Sequence, residues 1–353
     1  MSQTLGQSKD KERTRVYLTV DVECAEERVT RRGVVPALGH DLRVFGRFSN
    51  QSQELGIAFM LEELRRNGLR GTFFVEVLAS KFFGMSGLAE TCQRLQTAGQ
   101  DVQLHLHPNL AHPAWHSEGK PPIPDDLATY DLATQIAFLT EGVAILEKAG
   151  VRREHVTVFR AGNYGGNNDT WRALEAVGIP VSSTYNLSYL GRGCAFTWPR
   201  EETSLFRATP AVWEVPVAVF REPGRGARGV QFEAVSFAEM RHLLEEAPRL
   251  GVGHVVIVSH PFEHFFIDSA DARTGRPNRI VRERWSALAR YLRDHADRYQ
   301  VEPLAELAGR LRAGTEPSWA EGVAPAFGDP LLRVRRLGEQ AYKRVAARLR
   351  VPM

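Results

Sequence analysis

Asp101-Val102-Gln103-Leu104-His105-Leu106-His107-Pro108 reads as a short strand with a histidine at every second position of its tail. A helix-like stretch, Leu88 to Leu95, and then Gly99 lead into it. Far upstream, Val16-Tyr17-Leu18-Thr19-Val20-Asp21-Val22-Glu23 has the same construction, with carboxylates in place of imidazoles. Residues i and i+2 of a strand point to one face. Asp21 and Glu23 therefore project together, and so do His105 and His107. Two carboxylates and two imidazoles aimed at one place suit a divalent metal ion. A later strand-like run, His254-Val255-Val256-Ile257-Val258-Ser259-His260, ends on a further histidine.

Outward from these runs, one unit recurs: a helical stretch, a glycine, then a short β-rich run. Ile57–Leu64 leads through Gly68 to Gly71–Val75. Ile136–Leu146 leads through Gly150 to Val156–Phe159. Trp171–Ala176 leads through Gly178 to Ile179–Ser182, and Met240–Leu250 through Gly251 to Val255–Val258. Glycine just past a helix supplies the left-handed cap. Continuous apolar runs suit strands covered on both faces. The alternation predicts a parallel α/β sheet or barrel. Trp213–Phe220 reads as one more strand, with Pro216 marking an edge, a bulge or an irregular place in the ring. Glu283–His295 reads as the final helix, followed by short runs at Gln300-Val301 and Leu304–Leu307.

The bulk numbers exclude several classes. The 353 residues carry 45 Lys+Arg against 42 Asp+Glu, a formal charge of +3, too balanced to imply nucleic acid. No apolar run approaches the roughly 20 residues of a membrane span. The polar N-terminus lacks a signal-peptide core, so a cytoplasmic protein is expected. Cys24, Cys92 and Cys194 stand too far apart for a zinc knuckle or a disulfide framework. Residues 1–14 read as a disordered tail and 15–312 as one domain. Residues 313–353 read as a linker and a basic amphipathic helix over Leu331–Val351. Val334, Leu337, Ala341, Val345 and Leu349 recur at helical spacing in that helix. It is expected to dock on its own domain with its charged face solvated, in preference to membrane-surface contact.

The chain resembles the polysaccharide deacetylase (NodB homology) family over roughly residues 15–310, as a divergent member. Leu18–Glu23 is similar to the first motif and Gly71–Val75 to the second-strand signature. Gly99–Pro108 resembles the histidine motif, Phe159-Arg160-Ala161-Gly162-Asn163-Tyr164-Gly165 the arginine motif, and Ser259-His260-Pro261 the last motif. The resemblance implies an irregular (β/α) barrel of the glycoside hydrolase/deacetylase type, with its site at the C-terminal strand ends. It implies a hydrolase that uses a divalent ion: zinc first, with cobalt, manganese or iron as alternatives. Glu23, His105 and His107 would hold the ion. Asp21 would be the base, His260 the acid, and Arg160 would orient the base carboxylate.

Departures from the pattern leave alternatives open. The family's two adjacent aspartates are here separated by Val22, so Asp21 and Glu23 could exchange the roles of base and ligand. Its usual second histidine position falls on Asn109; either His107 or His112 takes over. The aspartate expected after the fifth strand is replaced by Val181-Ser182-Ser183-Thr184-Tyr185. Asn163, Tyr164, Tyr185 and Trp213 are candidate substrate contacts. Glu263 and His264 read as supporting or surface residues. Arginines in the long loops, among them Arg192, Arg200, Arg207, Arg221, Arg225 and Arg228, would favour an anionic carbohydrate if they line the cleft. The expected function is deacetylation of an N- or O-acetylated carbohydrate or glycan precursor. The rivals are an amidohydrolase acting on a non-sugar C–N bond and a carbohydrate-binding barrel without a metal.

Overall fold

The computed structural model describes residues 13–30, 33–111, 119, 123–198, 201–222, 224, 226–269, 271–319, 324–325 and 330–348. His112, Arg200, Arg225 and Leu349 therefore lie outside the described residues, as does the tail 1–12.

The run that ends at Asp21 forms β1 (Thr14–Val22), buried at every position, as a strand covered on both faces must be. It belongs to a nine-stranded sheet. The other members are β2 (Thr72–Glu76), β3 (Asp101–Leu106), β4 (Val158–Ala161), β5 (Val181–Ser182), β6 (Phe206–Arg207), β7 (Trp213–Glu214), β8 (His254–Ser259) and β9 (Tyr299–Val301). The spatial order is β8-β1-β2-β3-β4-β5-β7-β6, and β9 pairs with the start of β1. Every pairing is parallel except β6 with β7.

Helices α1 (Ile57–Arg66), α2 (Met85–Thr97), α3 (Leu132–Lys148) and α4 (Asn168–Val177) precede β2 to β5 in turn; α5 (Phe237–Glu246) precedes β8, and α6 (Arg279–Asp294) precedes β9. Their starts follow local chemistry. Asn167 and Thr170 form a reciprocal capping box on α4, and Ser236 with Glu239 does the same on α5. Gly178 closes α4 in the left-handed region at φ 77°, a conformation costly to any residue with a Cβ.

The strand expected over Trp213–Phe220 stops at Glu214. Pro216 has no N–H to give a ladder, and the backbone changes partners around it. Val215 N–H donates to Ser182 O at 2.8 Å and Val217 N–H to Tyr185 O at 3.0 Å; Ala218 N–H then donates to Val256 O on β8 at 3.0 Å. This irregular stretch spans the gap between β5 and β8, so the curled sheet is completed as an irregular (β/α) barrel. A second difference lies at Leu304–Leu307, which opens a helix, α7 (Leu304–Ala313). Pro303 sits at its N-cap, Glu306 in the first turn, and Arg310 and Arg312 in the last, the polarity a helix dipole favours.

The C-terminal helix α8 (Pro330–Arg348) docks the opposite way round from the expectation. Arg336 is 2% exposed and reaches the buried carboxylates of Glu239, at 2.6 Å, and Glu222. Glu339 pairs with Arg284 at 2.7 Å, and Gln340 donates to Ala234 O at 3.2 Å. Buried carboxylates need a countercharge, and this demand turns the polar side of α8 inward. Leu331, Val334, Leu337, Tyr342 and Val345 face out. Among the described residues no helix is long and apolar enough to cross a membrane.

Candidate active site

The register of the sheet levels the C-terminal strand ends. Val20 on β1 lies beside Ser259 on β8, and His105 on β3 lies beside Glu76 on β2 and Arg160 on β4. Side chains from β1, β3 and β4, with His260 just beyond β8, thereby converge on one mouth. There a pocket of about 210 Å³ is lined by Asp21, Glu23, His105, His107, Asn163, Tyr164, Tyr189, Gln231, His260 and Phe262.

Glu23 Oε2 lies 2.7 Å from His107 Nε2 and 3.7 Å from His105 Nε2. One ligand atom from each of the three residues falls within 4.8 Å of the others. The far sides of both rings are fixed. His105 Nδ1 meets the backbone carbonyl of Arg160 at 2.8 Å. A carbonyl only accepts, so Nδ1 carries the proton and Nε2 keeps the lone pair. His107 Nδ1 meets the Asp125 carboxylate at 2.9 Å. Acceptors behind ligating imidazoles are the usual support of a metal centre. One carboxylate and two imidazoles so oriented fit a divalent ion of the zinc type.

The electrostatics agree. Glu23 is buried, which raises a carboxyl; the His107 imidazole, with smaller contributions from His105 and His260, outweighs this and holds it well below the usual range. Burial disfavours the charged His107 ring, yet the Glu23 and Asp125 carboxylates push it well above the ordinary histidine value. A proton and a cation thus compete for the same Nε2.

Gly162 explains why His107 can lie there. A Cβ at Gly162 would stand 2.4 Å from His107 Nδ1, so only glycine lets the β4 end pass the ring. The next two residues, Asn163 and Tyr164, hold positive φ values of 52° and 58°. Consecutive non-glycine residues in this region are strained, and such strain concentrates at functional sites. Asn163 donates to Asp125 at 2.6 Å, and the Tyr164 hydroxyl accepts from Gln231 at 2.7 Å.

Opposite the triad, Arg160 is fully buried and spends its guanidinium on protein groups. It donates to Asp21 Oδ1 at 2.6 Å, to Thr19 Oγ1 at 2.9 Å, and to the Ser183 carbonyl and hydroxyl at 2.9 and 3.0 Å. Asp21 Oδ2 is left facing His260 Nε2 at 3.9 Å. His260 Nδ1 lies 2.9 Å from Glu263 Oε1, and Glu263 is itself held by the Ser259 hydroxyl at 3.1 Å. Burial alone would lower His260, but Glu263, with smaller contributions from Glu23 and Asp21, raises it to about 9.

Five of the six residues expected to carry chemistry, Asp21, Glu23, His105, His107 and His260, therefore line one pocket, with Asn163 and Tyr164 at its rim; Arg160 lies buried behind Asp21. Tyr185 and Trp213 do not join them. Tyr185 is fully buried against Phe196 and Phe206. Trp213 lines a separate cavity of about 380 Å³ with His254 and Trp319, at the other end of the strands. The pocket lining contains no arginine or lysine among the described residues. Arg221, Arg228 and Arg276 instead pair with Glu201, Glu222 and Asp268. Asp125, Tyr189 and Gln231 come from loops without periodicity, and no sequence signal marked them. Arg43, which pairs with Glu23 at 3.3 Å, was equally silent.

Comparisons with known proteins place this geometry in context. No protein-family profile matches the chain, and no curated protein sequence matches it. Solved structures do. A protein from Mycobacterium smegmatis, provisionally described as a polysaccharide deacetylase, is 17% identical with a TM-score of 0.53, covering 91% of this chain and 97% of its own. A family 4 carbohydrate esterase from Streptomyces lividans, solved with acetate, is 14% identical with a TM-score of 0.42 over 88% and 98% of the two chains. A family 4 pseudoenzyme from Bacillus anthracis is 12% identical with a TM-score of 0.42 over 84% and 66%. At 17% identity the first likeness establishes a common fold, the deacetylase-type barrel that the motifs imply.

Proposed function

We propose that the chain is a metal-dependent hydrolase that removes acetyl groups from an N- or O-acetylated carbohydrate or glycan precursor. The observation that carries this reading is the meeting of three groups in one pocket: the Glu23–His105–His107 triad, the Arg160-held Asp21 and the Glu263-held His260. In this reading residues 15–312 hold the chemistry and 313–353 are an appendage.

Glu23, His105 and His107 hold the ion, zinc first, with cobalt, manganese or iron as alternatives. When bound, such an ion polarises a scissile carbonyl and acidifies a water. Asp21 takes the proton of the attacking water on Oδ2, the oxygen that Arg160 leaves free. His260 gives its Nε2 proton to the departing amine or alcohol, while Glu263 keeps the ring charged and oriented. Asn163, Tyr164 and Tyr189 contact the acyl-bearing unit at the rim. The three free, buried cysteines fit a reducing compartment, and the reading includes a cytoplasmic location.

A second reading has one observation in its favour. The pocket, at about 210 Å³, is small and has no tryptophan in its described lining, which suits a compact non-sugar amide. Elemental analysis of wild type and His105→Ala/His107→Ala tests the shared premise: near-stoichiometric metal that the double variant loses. Acetate release from acetylated sugars, set against turnover of small cyclic amides, then separates the two readings. Asp21→Asn should abolish either activity and leave the fold intact. Absence of metal after reconstitution would end both and favour a binding barrel.

A further inference from the structure

Five of the ten large hydrophobic side chains that stand exposed among the described residues sit on α8. Val334, Leu337, Tyr342 and Val345 are 64%, 49%, 65% and 52% exposed. At about 100° per residue, Val334, Tyr342 and Val345 fall within an arc of roughly 80°, with Leu337 beyond one edge. Arg336, Glu339 and Gln340, which hold the helix to the barrel, fall on the opposite side. Arg335 borders the apolar arc on one flank, and Arg333 lies past Leu337 on the other; both are exposed. The helix is thus anchored by its polar stripe and presents an apolar stripe edged with arginine.

We infer that α8 lays this outward face on an anionic lipid surface. An apolar stripe with basic flanks on a docked helix is the arrangement of an interfacial helix. From residue 330 onward, with Arg336 set aside because it is buried against Glu222 and Glu239, the sequence has five arginines and one lysine against a single glutamate. Anionic headgroups complement that charge. A second copy of the chain does not, because face-to-face packing of two such helices would bring the basic flanks together. The inference concerns attachment and does not depend on what the pocket hydrolyses.

Co-sedimentation of the full chain tests it, using vesicles of phosphatidylcholine alone and of phosphatidylcholine mixed with phosphatidylglycerol. Wild type should pellet with the mixed vesicles, pellet little with the neutral ones, and be released by salt. Arg333→Gln should weaken the partition about fivefold, and Val334→Glu/Val345→Glu should weaken it at least tenfold. The altered side chains are solvent-exposed, so helical content and melting temperature should hold in each variant. Failure to pellet, equal binding to both vesicle types, or undiminished binding of the double variant would overturn the inference. A dimer in light scattering that dissociates in Val334→Glu/Val345→Glu would give the face to a second copy instead. An acidic protein ligand that binds this face while vesicles do not would give it to a protein partner.

Discussion

At the residue scale, the decisive pair is His260 with Glu263. Burial works against the imidazolium, and the carboxylate 2.9 Å away overrides it, raising His260 to about 9. The folded chain therefore binds this proton more tightly than the unfolded one. The pair contributes its full stability below about 6.5 and loses it as pH climbs through about 9. If His260 is the proton donor, kcat/KM should fall along the same high-pH limb. Glu263→Gln removes the opposing carboxylate, so burial prevails and the limb should move down by about one pH unit or more. A pH profile with an unmoved limb would take the acid role away from His260. Gly162→Ala is a sharper steric probe. Its Cβ would collide with the His107 ring, so metal content should drop several-fold while the far-UV spectrum keeps its shape. The convergence of Asp21 with Glu23 and of His105 with His107 was legible because strand alternation ties side-chain direction to sequence spacing, and His260 because it ends a strand-like run; Arg160 stood out only through the resemblance of its motif. Glu263 was legible only as a neighbour of His260. Asp125 and Gln231 were not, because a loop has no period that fixes where its side chains point. Tyr185 and Trp213 misled for another reason: an aromatic residue packs a core and lines a sugar site equally well, and sequence carries no sign of which.

At the element scale, repeated helix–glycine–strand units made most of the barrel readable, because each strand had to be apolar on both faces. Legibility failed where the ring departs from repetition. Pro216 signalled irregularity, but the partners that residues 215–218 find on β5 and β8 depend on long-range closure. The orientation of α8 was hidden similarly. Periodicity located its apolar stripe and implied that this stripe would be buried, whereas Glu222 and Glu239 inside the barrel domain decide otherwise. Their demand for charge can be measured. Arg336→Ala leaves the buried Glu239 carboxylate without its cation and Glu222 with Arg228 alone, a loss worth roughly 3–5 kcal/mol if the helix stays in place. Detachment of α8 would let water reach both carboxylates, so the cost cannot exceed the free energy of docking. The variant should melt several degrees lower, and α8 should be cleaved sooner in limited proteolysis. An unchanged melting curve and cleavage rate would mean that the Arg336 cluster does not anchor the helix.

At the scale of the whole molecule, the triad joins segments that are distant in the chain. Glu23 follows β1, whereas His105 and His107 belong to the end of β3 with β2 between them. The unfolded chain cannot assemble this donor set, so a bound divalent ion stabilises the native state by mass action. The gain is about 2.7 kcal/mol when free metal is a hundredfold above Kd. Zinc should therefore raise the melting temperature of the chelated protein, and His105→Ala/His107→Ala should not respond. The pH dependence carries the identity of the ligands. The Glu23 and Asp125 carboxylates raise the proton affinity of His107 well above the ordinary value, and the ion must displace that proton from Nε2. The zinc-induced rise should consequently grow as pH increases from mildly acidic to mildly alkaline, with about one proton released per His107 engaged. A rise that is the same at every pH, or that persists in the double histidine variant, would mean that the ion binds somewhere other than this strand-end centre. The hydrolase reading would then lose its metal along with its ligands.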